Sequence, residues 1–196
     1  LAVSLCHMLN DVMQSLLSAI YPMLKAEHSL DFWQIGLLTF TFQVTASLLQ
    51  PAVGLYTDKR PMPQSLPVGM ASSMVGLFLL AYAHSYPFLL LGAALIGIGS
   101  AIFHPEASRV ARMASGGRYG LAQSLFQVGG NFGTAIGPLL AAFIVVPRGQ
   151  SSVAWFAVIA LAGMLILNRV GVWYARYTAA NAGRAAGALT APLPRG

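Results

Sequence analysis

Charge is what this chain most lacks. Only 8% of its 196 residues are Asp, Glu, Lys or Arg, where soluble domains carry about a quarter. That scarcity excludes an ordinary water-soluble globule. Acidic side chains are the rarer kind, five against eleven basic ones. A single cysteine, Cys6, lies in an apolar segment; it excludes an internal disulfide and carries no message about redox compartment. A cleavable leader is also missing from view, since the chain opens on Leu1 inside an apolar segment with no basic stretch before it. We expect a truncated N-terminus.

What the chain has instead is apolar length. It is 57% hydrophobic, in repeated runs of about 20 residues, the length that spans a bilayer as a helix. Hydropathy predicts six transmembrane helices at roughly 1–24, 35–56, 65–82, 88–110, 121–146 and 153–174. The connections "KAEHSLDF", "TDKRPMPQ", "AHSYP", "ARMASGGRYG" and "PRGQSS" are short and turn-like. The expected fold class is an all-α membrane protein with the lipid bilayer as its surroundings.

The net charge of +6 is no nucleic-acid footprint in such a chain, because basic residues in membrane proteins report orientation. Lys59, Arg60, Arg109, Arg112, Arg118, Arg169, Arg176, Arg184 and Arg195 fall on one side of the predicted membrane, and only Lys25 and Arg148 on the other. Both termini are therefore expected in the cytoplasm. Beyond Tyr177 the sequence "TAANAGRAAGALTAPLPRG" reads as a flexible linker. The organisation expected is a six-helix bundle over 1–177 and a cytoplasmic linker over 178–196, leading towards a second half.

Polar residues inside the spans need a reason, since a charge at a helix centre costs at least ~2.5–3.5 kcal/mol on insertion scales. Ser4, His7, Asp11, Gln14 or Ser15, and Ser18 recur at three- and four-residue steps in the first span, on one face. Asp11 lies fourteen residues before Lys25, so about 21 Å along the helix from its outer end. It is either a proton or cation site facing a polar cavity, or a hydrogen-bonded group that holds helices together. Gln123, Gln127, Asn131 and Thr134 repeat the pattern in the fifth span, and Gln43 and Gln50 stand in the second. Such amides bridge helices or bind a polar substrate. Gly129, Gly133 and Gly137, followed by Pro138, offer a smooth face for close helix contact, on which two bundles could rock.

The fourth span ends in "SAIFHPEASR", residues 100–109. Ser100, His104 and Ser108 share a face, and Glu106 and Arg109 are placed to pair on one turn. An imidazole ordinarily titrates near neutrality, and Pro105 leaves a backbone carbonyl near Ala101 free, so His104 stands in a setting suited to a proton shuttle. Neither a nucleophile triad nor metal-ligand spacing is present. His7 with Asp11 four residues on is too little for an enzyme or metal site.

Several of these segments resemble the major facilitator superfamily, in its N-terminal six-helix half. "GLYTDK" carries the family's glycine, Gly54, with Asp58 four residues on and Lys59 next; Pro61, Met62 and Pro63 then replace its usual glycine and arginines. "GTAIGPLLAA" resembles the fifth-helix antiporter motif through Gly133, Gly137 and Pro138, with Ala141 and Ala142 for two glycines. The fourth-helix motif keeps Gly97 but has Ala93 where an arginine is usual. "HMLNDVMQSLLSAIYPML", "SLLQPAVG", "IFHPEASRVARMASGGRYGLAQSLFQVGGNFGTAIGPLLAA" and "VAWF" resemble, within that superfamily, the bacterial fosmidomycin resistance proteins.

The resemblance implies half of a secondary transporter built as a 3+3 inverted repeat, in the bacterial inner membrane. It implies export of a small drug such as fosmidomycin in exchange for protons, without a cofactor or enzymatic step. Asp11, His104 and Glu106 would couple to protons. His7, Gln14, Gln43, Gln127 and Asn131 would line the substrate cavity. Gly54, Asp58 and Lys59 would form a cytoplasmic gate. A symporter or facilitator for an organic anion or sugar with the same fold, or a fragment inactive alone, are the alternatives.

Overall fold

Pro22 divides the first apolar segment. Helix α1 covers Ala2–Ala19, and beyond Ile20 a short α2, Tyr21–Glu27, starts with that proline in its first turn, where a missing N–H costs nothing. The next helix, α3 (Phe32–Gln43), begins at a capping box. The Asp31 carboxylate accepts from the Gln34 backbone N–H at 2.7 Å, and the Gln34 side chain accepts from the Asp31 N–H at 2.9 Å. A π-helical turn, Val44–Leu48, joins α3 to α4 (Leu49–Lys59). Pro51 follows it, and cannot donate to the Ser47 carbonyl. Then come α5 (Ser65–Ala81) and α6 (Tyr86–Met113). Gly116 and Gly117, at φ +60° and +89°, make the turn into α7 (Tyr119–Leu140).

A second π-helical turn, Ala141–Val145, leads into the short α8, Val146–Arg148. Pro147 leaves the Phe143 carbonyl without its helical donor, and the Arg148 guanidinium supplies one at 3.1 Å. A 3₁₀ turn, Gln150–Phe156, opens the last helix, α9 (Ala157–Thr190). This computed structural model describes residues 1–190, with side chains to Asn181.

Six spans were expected, and among the described residues four helical stretches are long and apolar enough to cross a membrane: Phe32–Lys59, Tyr86–Met113, Tyr119–Arg148 and Gln150–Asn181. The other two fall short for different reasons. At 17 residues α5 is short, whereas α1 spends one face on polar side chains. The linker expected from Thr178 also differs, because α9 runs on to Thr190. Alanine is the strongest helix former, and it dominates that stretch. The last six positions, 191–196, lie outside the described residues.

Two interfaces set the bundle. Helix α1 lies along α7, and α6 lies along both α5 and the α3–α4 stretch. Between α5 and α6 the backbones nearly touch. A Cβ on Gly76 would stand 2.7 Å from both the Gly92 carbonyl oxygen and an Ile96 side-chain carbon. We expect Gly76→Val to force the helices apart and cost about 1–3 kcal/mol, as overpacking does. Thermal melts in detergent check this, with Gly36→Val as control, since a Cβ at Gly36 meets nothing within 4 Å.

Candidate functional site

The polar face of α1 meets the glycine face of α7. A Cβ at Gly129 would strike the Ser4 backbone, at Gly133 that of Met8, and at Gly137 the Ser15 hydroxyl. With no side chains between them, α1 hydrogen-bonds directly to α7 carbonyls. The Ser4 hydroxyl donates to Leu125 at 2.5 Å, the His7 Nδ1–H to Phe126 at 2.8 Å, and the Ser15 hydroxyl reaches Gly133 at 3.4 Å. The His7 ring also stacks on Phe126, centroids 4.0 Å apart.

These bonds aim His7 at Asp11. A carbonyl only accepts, so the hydrogen of a neutral His7 sits on Nδ1 and Nε2 is left facing the carboxylate. His7 Nε2 is 3.3 Å from Asp11 Oδ2, and His104 Nε2, from α6, is 3.4 Å from Asp11 Oδ1. His104 is fixed in the same way, with its Nδ1 2.9 Å from the Ser100 carbonyl oxygen. A small ring of bonds closes around it: Ser100 donates to Gln14 Oε1 at 3.0 Å, and Gln14 donates to Asp11 Oδ1 at 3.1 Å. Asn10 adds a donor to the same oxygen at 3.2 Å. His7 is 4% exposed, Asp11 16% and His104 24%. One carboxylate thus lies between two imidazoles, shielded yet reachable from one side.

A second cluster forms where α4, α6 and α9 meet. Glu106 is fully buried, and its Oε1 accepts from Arg109 at 2.6 Å. The same guanidinium covers the last turn of α4, donating to the Thr57 carbonyl at 2.8 Å, the Thr57 hydroxyl at 3.2 Å and the Asp58 carboxylate. It also reaches the Tyr174 hydroxyl at 3.5 Å. Carbonyls at a helix C-terminus lack partners within the helix and carry partial negative charge, so a cation there joins three helices at one point.

The family model of the Major Facilitator Superfamily matches residues 3–194. The chain belongs to the major facilitator superfamily. It is 57% identical over 99% of its length to the fosmidomycin resistance protein of Escherichia coli strain K12, covering 48% of that protein. It is 49% identical over 88% of its length to the uncharacterized MFS-type transporter YfnC of Bacillus subtilis strain 168, covering 42% of it. The chain spans about half the length of the curated relatives it matches. Superfamily membership and the apolar helices make it an integral membrane protein.

The superfamily motifs take definite places. Gly54 faces Pro105, where a Cβ would still fit at 3.7 Å, Asp58 pairs with Arg109, and Lys59 stays exposed. Gly133 and Gly137 are buried against α1, so the glycine face is not free to slide on another bundle, while Pro138 is exposed beside them. Ala93 is fully buried, which leaves no room for the superfamily's arginine. His7 and Gln14, expected to line the substrate cavity, both contact Asp11. Gln43, Gln127 and Asn131 are exposed on the bundle surface and make no hydrogen bond to the Asp11 cluster. Glu106 faces Arg109, the pairing expected from their three-residue spacing.

Sequence reasoning did not bring His104 to Asp11, or Asp58 to Arg109. Each contact crosses between helices far apart in the chain, and helical periodicity speaks only about faces of a single helix. One signal was available: Ser100, His104 and Ser108 present a polar face on α6 that needs a polar partner elsewhere.

Proposed function

We propose that the chain is one six-helix half of a secondary transporter that exports a small drug in exchange for protons by alternating access, with both termini cytoplasmic in a bacterial inner membrane. The His7–Asp11–His104 cluster carries this reading. An intramembrane carboxylate held between two imidazoles is costly unless it has a task, and imidazoles exchange protons near neutral pH. Asp11 and His104 are the coupling groups. Gln43, Gln127 and Asn131 offer exposed amides to a substrate held between this half and a second one. The Asp58–Arg109–Glu106 junction closes the cytoplasmic ends of α4, α6 and α9. Fosmidomycin is the compound to test, given the name of the Escherichia coli relative.

Helix pairing supports the half-transporter reading. The first span lies on the fifth as the fourth lies on the second, an exchange of partners suited to a 3+3 inverted repeat. In this reading α1 and α5 also cross, giving six spans. The relatives' greater length supports the second half.

His104→Ala in the full-length polypeptide tests the coupling role. In proteoliposomes, accumulation of fosmidomycin driven by a pH gradient falls to background, while counterflow without a gradient persists. Gradient-driven accumulation equal to the parent removes His104 from the mechanism. A parent whose rate ignores the gradient is a facilitator.

A further inference from the structure

The space between the two histidines and Asp11 has the dimensions of a metal site. Their ligand atoms all lie within 4.8 Å of one another. The 3.3 Å and 3.4 Å separations to Asp11 are long for charge-assisted hydrogen bonds, which run about 2.7–2.9 Å. Each is close to one edge of a zinc tetrahedron, since bonds of about 2.0–2.1 Å put neighbouring ligand atoms about 3.3–3.4 Å apart. The His7 edge runs to Asp11 Oδ2 and the His104 edge to Oδ1, so the carboxylate meets an ion through both oxygens or turns to offer one.

The surroundings fit as well. Both Nδ1 atoms point at backbone carbonyls, of Phe126 and Ser100, which leaves both Nε2 lone pairs towards the carboxylate. This is how metal-binding imidazoles are oriented. Two lone pairs facing a carboxylate repel it unless positive charge stands between them. Asn10 and Gln14 brace Asp11 Oδ1 from outside. Gly130 keeps the space open, since a Cβ there would sit 2.5 Å from His7 Nε2 and 2.9 Å from Asp11 Oδ2.

We propose that His7 Nε2, the Asp11 carboxylate and His104 Nε2 bind a divalent transition-metal ion of the zinc class. Two imidazoles and one carboxylate select zinc, cobalt or nickel over magnesium or calcium, which prefer oxygen ligands. The fourth position faces the exposed side of Asp11 and His104. The proposal rests on reading the cluster as a cation site, and the ion excludes the exchanged proton from the same atoms.

The test uses the full-length polypeptide, freed of metal, in detergent and titrated with cobalt(II). One ion per chain binds, with the visible ligand-field bands of a tetrahedral site, and zinc displaces it. Gly130→Ala retains all three ligands and weakens binding about 10–100-fold, as disturbing a metal's surroundings does. His104→Gln loses the tetrahedral bands, and gel filtration shows both variants folded. Absence of the bands in the parent, or equal bands in folded His104→Gln, overturns the proposal. If the bands are absent while drug flux still moves protons, the metal site fails and the transport reading stands. Tetrahedral bands without proton movement support the site and sink the transport reading.

Discussion

Cells carrying the full-length polypeptide with Asp11→Asn lose their resistance to fosmidomycin, down to the level of cells without the transporter, while the protein stays in the membrane at its normal amount. The asparagine amide has the shape of the carboxylate, and its oxygen still accepts from Gln14, which stands 3.1 Å from Asp11 Oδ1. Removing a charge from the membrane interior also lowers the insertion cost. The lost capacity is chemical. An amide neither takes up nor releases a proton, and it cannot balance charge on the two imidazoles, 3.3 Å and 3.4 Å from Asp11. Dose–response curves for drug killing, read beside membrane immunoblots, check this. Full resistance at equal protein level would falsify the coupling role of Asp11.

Arg109→Ala acts in the opposite way, on the fold before the transport. Glu106 is fully buried and Arg109 is its charged partner at 2.6 Å. Removing one member of a buried pair strands the other charge, at a cost of about 3–5 kcal/mol. The change also takes the donors from the last turn of α4 and from the Asp58 carboxylate. Protein level in the membrane drops steeply, and detergent melts shift well below the parent. The double variant Arg109→Met, Glu106→Gln leaves no stranded charge and recovers much of the stability, because a buried ion pair is often replaceable as a unit. If Arg109→Ala melts with the parent, the junction does not hold the three helices together.

Much of this was legible in the sequence where the information is local. Hydropathy located the apolar stretches because span length follows from bilayer thickness. The three- and four-residue steps of Ser4, His7, Asp11 and Ser15 gave the face of α1 that meets α7, and the glycine steps of α7 gave its complement. Glu106 and Arg109 were expected on one turn, where they stand. Less local features were harder. A break at Ile20 depends on how one proline is accommodated. Alanine and glycine compete in the stretch after Tyr177, and the helix prevailed to Thr190. That His7 and Gln14 meet α6 was not legible, since nothing on α1 alone says that Ser100 and His104 are brought against them. The metal-like spacing was invisible for the same reason: two ligands come from one helix and the third from another.

The direction of proton movement during drug flux tests the central claim most directly. Proteoliposomes containing the full-length polypeptide are loaded with fosmidomycin and a pH-sensitive dye, then diluted into drug-free buffer at equal pH. Exchange predicts that drug leaving the lumen drives protons in, so the lumen acidifies, and Asp11→Asn vesicles show no change. Alkalinisation would mean that drug and protons travel together, and a steady lumen pH during drug efflux would mean no coupling; either result contradicts the account.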